Sequence, residues 1–225
     1  MPAKVLLRKT SLVDYPGRVC SVFFFAGCNL ICPWCHNREL VTGGAIGLVS
    51  VEEAFAHIIK RRSVLGGVVL SGGEPCLYEE LPALIEEIKK LKLPVKLDTN
   101  GTLPAMLENL FSREESRPAY IALDLKTAPD RYGELSGHLI QSAALIRASG
   151  IEHEYRTLAL PGGFITEKDI EALAPLADNA PWYFRPFRGG NCLDPAWDNL
   201  EESGAGVKAL AEKARELGKQ ALFNV

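Results

Sequence analysis

Cys28, Cys32 and Cys35 lie in the stretch Cys28-Asn29-Leu30-Ile31-Cys32-Pro33-Trp34-Cys35, a C-x3-C-x2-C loop that follows the apolar run Val19–Phe25. Three closely spaced thiolates can hold three corners of a [4Fe-4S] cube, whose usual protein complement is four cysteines. One iron is then left open to a small molecule, and an open metal position separates a catalytic site from a closed structural one. Two plainer chemistries compete. A structural zinc site takes four Cys/His ligands, usually as two separated pairs. No second pair is present, although His36 or Cys76 could be imagined as a fourth ligand. Disulfides suit small secreted domains. This chain has 225 residues and 6 cysteines, and Met1-Pro2-Ala3-Lys4 does not open a signal peptide. The expected compartment is the cytosol, where thiols stay reduced.

Further polar residues gather in Ser71-Gly72-Gly73-Glu74-Pro75, Asp98-Thr99-Asn100-Gly101 and Asp124-Leu125-Lys126, and at Arg156 and Arg185. Two adjacent glycines lack Cβ atoms, so peptide groups at Gly72-Gly73 can approach a ligand closely. The same residues also make a plain β-to-α turn, and Asn100-Gly101 is a common turn pair. Turn chemistry explains Lys126, Arg156 and Arg185 poorly.

C-x3-C-x-aromatic-C, with Trp34 as the aromatic, resembles the cluster loop of radical S-adenosylmethionine (radical SAM) enzymes. Cys35-His36-Asn37 and Ser11-Leu12-Val13-Asp14-Tyr15-Pro16-Gly17 resemble the activating proteins of glycyl radical enzymes. The Asp-Tyr-Pro-Gly form looks most like activators of anaerobic ribonucleotide reductase. Matching features run from about Thr10 to Arg185.

The resemblance implies a [4Fe-4S] cluster on Cys28, Cys32 and Cys35, with S-adenosylmethionine on the open iron. It implies SAM contacts from Trp34, His36, Gly72, Gly73, Glu74, Asp98, Thr99, Asn100, Asp124, Lys126, Arg156 and Arg185. Reductive cleavage of SAM would give a 5′-deoxyadenosyl radical that takes hydrogen from a glycine of a partner enzyme, with a flavodoxin- or ferredoxin-type reductant. No acid/base side chain is demanded. Asp98 and Asp124 should end neighbouring strands, and two close carboxylates repel unless a cation intervenes. A monovalent cation beside SAM is therefore expected, and the resemblance points the same way.

Two other functions stay open. One keeps the cofactors but acts on a small molecule, as in carboxy-deazaguanine synthases, which usually show Glu-Thr-Asn-Gly where this chain has Asp98-Thr99-Asn100-Gly101. The other is a non-catalytic iron–sulfur or zinc-binding protein. Cys20 and Cys76 read as structural thiols, and Cys192 as a candidate for the partner surface.

Apolar periodicity alternates between strand and helix along the chain. Strands are expected at Val19–Phe25, Gly67–Leu70, Val95–Asp98, Ala119–Leu125, Glu154–Leu158 and Trp182–Arg185, with an edge strand at Gln220–Phe223. Helices are expected from the Ser50 capping box to Arg62, over Tyr78–Leu91 and Leu139–Ser149, from Thr166 to Pro175, and over Gly204–Leu217. Such alternation implies a parallel sheet with right-handed crossovers. Six β/α units fall short of the eight of a closed barrel. The expected fold is α/β, a partial (β/α)6 TIM-like barrel of the radical SAM type, as one domain over residues 1–225. An open doubly wound sheet has the same alternation.

Hydrophobic residues make up 47% and charged residues 24%, enough for a core and a solvated surface. Net charge is −3 and no broad basic patch is present, so no nucleic-acid partner is expected. The longest apolar stretch, near residues 19–28, is too short to span a membrane.

Overall fold

The computed structural model describes residues 4–223. The segment Met1-Pro2-Ala3, which bears on the leader reading, lies outside the described residues. The chain divides into two compact units, neither continuous in sequence. The first takes the chain up to Cys32, then Asn37–Thr99 and Ala105–Ile121; the second takes Pro33–His36, Asn100–Pro104 and the chain from Ala122 onward.

In the first unit the strands are β1 (Lys4–Ser11), β2 (Cys20–Phe25), β3 (Val49–Ser50), β4 (Gly67–Gly72) and β5 (Val95–Thr99). The helices are α1 (Arg38–Thr42), α2 (Val51–Arg61), α3 (Leu81–Lys90) and, after its first residue, α4 (Pro104–Phe111). Strand order is β3-β1-β2-β4-β5. β2, β4 and β5 run parallel, and β1 is antiparallel to both of its neighbours. Strands covered on both faces read as unbroken apolar runs. Val22, Phe23, Val68, Val69, Leu70, Val95 and Leu97 are accordingly fully buried. The start of α2 is fixed by the capping box read from sequence: Glu53 N donates to Ser50 Oγ at 3.1 Å and Ser50 N to Glu53 Oε2 at 2.9 Å. Lys60 and Arg61 occupy its last turn, where cations suit the dipole.

The second unit holds most of β6 (Tyr120–Asp124), then α5 (Ser136–Ala148), β7 (Glu152–Ala159), α6 (Glu167–Leu173), β8 (Trp182–Pro186), α7 (Gly204–Glu216) and β9 (Ala221–Phe223). Strand order is β6-β7-β8-β9, and β7, β8 and β9 run parallel. Trp182 is fully buried and its indole N–H donates to Thr157 Oγ1 at 2.9 Å. That hydroxyl donates in turn to Leu125 O at 2.8 Å, so the core's largest side chain leaves no orphaned polar atom.

All six expected strands are present, as β2, β4, β5, β6, β7 and β8, and the fold is α/β of the expected kind. Four elements were not read from sequence: β1, β3, α1 and α4. Among the described residues no helix is long and apolar enough to cross a membrane.

Candidate functional site

The first unit brings polar residues to the carboxyl ends of β2, β4 and β5, where parallel α/β folds place their working groups. Cys28 and Cys32 follow β2 and are partly exposed. Leu30 N lies 3.4 Å from Cys28 Sγ, a donor–sulfur contact of the type that tunes iron–sulfur centres.

Gly72 closes β4 and Gly73 follows it, and another stretch of backbone lies against both. A Cβ on Gly72 would lie 2.3 Å from Phe25 N, and one on Gly73 would lie 1.8 Å from Gly27 O. Gly73 N donates to Phe25 O and Glu74 N to Gly27 O, both at 2.9 Å. The glycine pair therefore clamps the backbone leading into Cys28. Asn37 Nδ2 adds a bond to Gly72 O at 2.8 Å. Glu74 is buried at 1% exposure; its carboxylate accepts from Cys76 N at 3.0 Å and from Thr99 Oγ1 at 2.9 Å. That carboxylate fastens the turn to β5.

Asp98 accepts from Ser71 Oγ at 2.9 Å and from Lys96 Nζ at 2.5 Å. Lys96 was missed from sequence. The signal was available: residues two apart on a strand share a face.

In the second unit, β6 and β7 build a charge cluster. Arg156 Nε donates to Asp124 Oδ1 at 2.8 Å and Lys126 Nζ to Asp124 Oδ2 at 3.1 Å. Burial pushes the Asp124 carboxyl up, but Arg156 and Lys126 outweigh it and hold the group well below the usual carboxylate range. Asn100 Oδ1 accepts from Thr102 N at 2.9 Å and Thr102 Oγ1 at 2.6 Å, the polar turn expected at that pair. Arg185, near the end of β8, is exposed; its backbone pairs with Leu158 in the ladder, and among the described residues its guanidinium has no hydrogen bond or ion pair.

The segment Pro33–His36 belongs to this unit and is pinned at both ends. Leu193 N donates to Cys35 O and Asp194 N to Pro33 O, both at 2.9 Å. His36 Nε2 sits 2.6 Å from Arg188 O, and its ring stacks on Phe187 at 5.3 Å. Trp34 is buried, edge-on to Phe164 at 4.9 Å and tilted against Trp197 at 5.5 Å. Trp34 and His36 thus anchor the Pro33–His36 segment by packing and hydrogen bonding.

All six cysteines lie outside disulfides. Cys20, Cys76 and Cys192 are buried, and burial is the main cause that raises the pKa of each thiol. Cys192 is fully buried, so its thiol does not face a partner surface. Among the described residues no three His, Cys, Asp or Glu side chains are already gathered in metal-ligand geometry. The donor set still suits an iron–sulfur group: three partly exposed thiols in one loop, with a backbone N–H directed at one sulfur.

A model of the radical SAM superfamily matches residues 22–177. A protein of Methanocaldococcus jannaschii, named by inference a glycyl-radical enzyme activating enzyme, is 30% identical over 221 residues, 93% of this chain and 87% of that one. A 7-carboxy-7-deazaguanine synthase of Hyperthermus butylicus is 44% identical over 90 residues, but these cover 38% of this chain and 36% of the synthase. The crystal structure of a radical SAM methyltransferase from Sphaerobacter thermophilus superposes with a TM-score of 0.71 at 19% identity, over 96% of this chain and 68% of that one. At that identity the likeness speaks to the fold alone. A family match across most of the chain, the α/β fold and the cysteine loop lead to one conclusion: the chain is an enzyme of the radical SAM superfamily.

Proposed function

We propose that this enzyme is an activase that installs a glycyl radical on a partner enzyme of the anaerobic ribonucleotide reductase kind. It works as one radical SAM domain, in the cytosol, with a flavodoxin- or ferredoxin-type reductant. The observation that carries the reading is the end-to-end likeness to the M. jannaschii protein, 93% of one chain against 87% of the other.

Cys28, Cys32 and Cys35 would hold the cluster. With SAM bound, the cluster supplies one-electron reductive cleavage of SAM. The remaining work belongs to side chains. Gly72, Gly73 and Glu74 fix the turn beside the cysteine loop. Trp34 and His36 hold the Pro33–His36 segment in place. Asp98, Thr99 and Asn100 end one polar strand, and Asp124, Lys126 and Arg156 form a charged patch for the polar groups of SAM. Arg185 keeps its donors available for a ligand carboxylate.

A second reading has its own support. The synthase likeness is higher in identity, 44%, although confined to 90 residues. It makes the substrate a small nucleobase-like molecule. The deciding experiment incubates the reconstituted enzyme with SAM, reductant and a candidate partner, and records the electron paramagnetic resonance spectrum. A glycyl radical doublet on the partner is expected. Turnover of a free pterin with no doublet on any candidate partner would assign the enzyme to the second reading.

A further inference from the structure

Lys96 is charged, sits mid-strand in β5 and is only 2% exposed. Its neighbours on the same strand, Val95 and Leu97, are fully buried core residues. A buried ammonium needs a partner, because removing it from water costs several kcal/mol. The partner is Asp98 Oδ1 at 2.5 Å, and the Tyr120 ring lies 5.9 Å from the ammonium. Asp98 is one of the two carboxylates, with Asp124, from which a monovalent cation site was expected. Its carboxylate carries Lys96 on one oxygen and the Ser71 hydroxyl on the other. In the second unit, Asp124 likewise carries Lys126 and Arg156. The charge balance that called for a metal cation is met by side chains.

We propose that the Lys96 ammonium is a built-in cation for Asp98, taking the place of an exchangeable sodium or potassium ion at this strand end. Lys96 is then a positioning residue: with Ser71, it fixes which way the Asp98 carboxylate faces. The compact ammonium suits this role because it acts as a point charge with three donors. The inference is independent of which substrate the enzyme takes.

The test uses the full chain, purified without oxygen, in equal ionic strengths of potassium, sodium or tetramethylammonium nitrate. Thermal midpoint and one-site thallium(I) binding, followed by thallium nuclear magnetic resonance, are the readouts; neither involves SAM cleavage or a partner. Wild type should melt at the same temperature in all three salts and show no saturable thallium site. Lys96→Met leaves Asp98 without its counter-ion. It should melt about 6 °C or more below wild type in tetramethylammonium, recover part of that loss in sodium or potassium, and bind thallium. Lys96→Met/Asp98→Asn removes both charges; it should regain stability and lose the salt response, so the comparison survives if the single variant folds poorly. A saturable thallium site in wild type that Asp98→Asn abolishes would overturn the proposal. So would a Lys96→Met protein whose stability is the same in all three salts.

Discussion

Replacing Gly73 with Ala tests the local architecture most severely. The added methyl would lie 1.8 Å from Gly27 O, where ordinary contact begins near 3.4 Å. The two segments must part by roughly 1.5 Å, and close-packed interiors absorb such shifts poorly. Parting them breaks Gly73 N to Phe25 O and Glu74 N to Gly27 O, both 2.9 Å bonds. Each such bond contributes about 0.5–1.5 kcal/mol net, and a buried group left unpaired costs about 1–3 kcal/mol. A loss of about 3 kcal/mol follows, or roughly 6–12 °C in melting temperature for a chain of this length. The displaced backbone leads straight into Cys28, so iron content after anaerobic reconstitution should fall with it. Gly137 is the control. It lies near the start of α5 with open space where a Cβ would stand. Gly137→Ala should be neutral or stabilising by up to about 1 kcal/mol. The assay is thermal unfolding paired with iron and sulfide analysis. A Gly73→Ala protein with wild-type melting temperature and full iron would refute the clamp.

Two further outcomes follow from the second unit. Asp124 has a folded-state pKa below that of an unfolded aspartate, so its contribution to stability is complete above the unfolded value, about 3.9. It is lost as pH falls below that value toward the folded one. Asp124→Asn should therefore be less stable than wild type at neutral pH, and the gap should close on acidification; a constant gap from about pH 7 to pH 3 would contradict the ion cluster. His36→Ala loses the contact with Arg188 O and the stack on Phe187. It should still take up a full complement of iron but bleach faster in air, and a failure to take up any iron would make the imidazole a ligand.

The β/α alternation was legible because β2 and β4 are unbroken apolar runs and because Ser50–Glu53 and Thr166–Asp169 announce helix starts. β1 was not legible. Its antiparallel pairing leaves much of it exposed, so Lys4, Arg8, Lys9 and Thr10 cut the apolar signal down to Val5-Leu6-Leu7. α4 follows the Asn100–Thr102 turn at once, and its pattern merged with that turn. Within the site, spacing singled out the three loop cysteines, whose thiols are more accessible than those of buried Cys20, Cys76 and Cys192. The Gly72-Gly73 pair was noticed for its missing Cβ atoms, but what presses against them is another backbone, which only the fold supplies. Lys96 was hidden by convention: a lysine inside an apolar strand reads as facing solvent, and here it faces Asp98.

The central claim is that three thiols, and only those three, hold a cluster with one iron left for SAM. The most direct measurement is iron content and SAM cleavage after anaerobic reconstitution, across single Ala variants at all six cysteines. Cys28→Ala, Cys32→Ala and Cys35→Ala should each abolish cleavage, while Cys20→Ala, Cys76→Ala and Cys192→Ala should each retain a [4Fe-4S] centre. Loss of the cluster in Cys76→Ala would mean a closed four-cysteine site and contradict the account. Full cleavage by any of the three loop variants would contradict it equally.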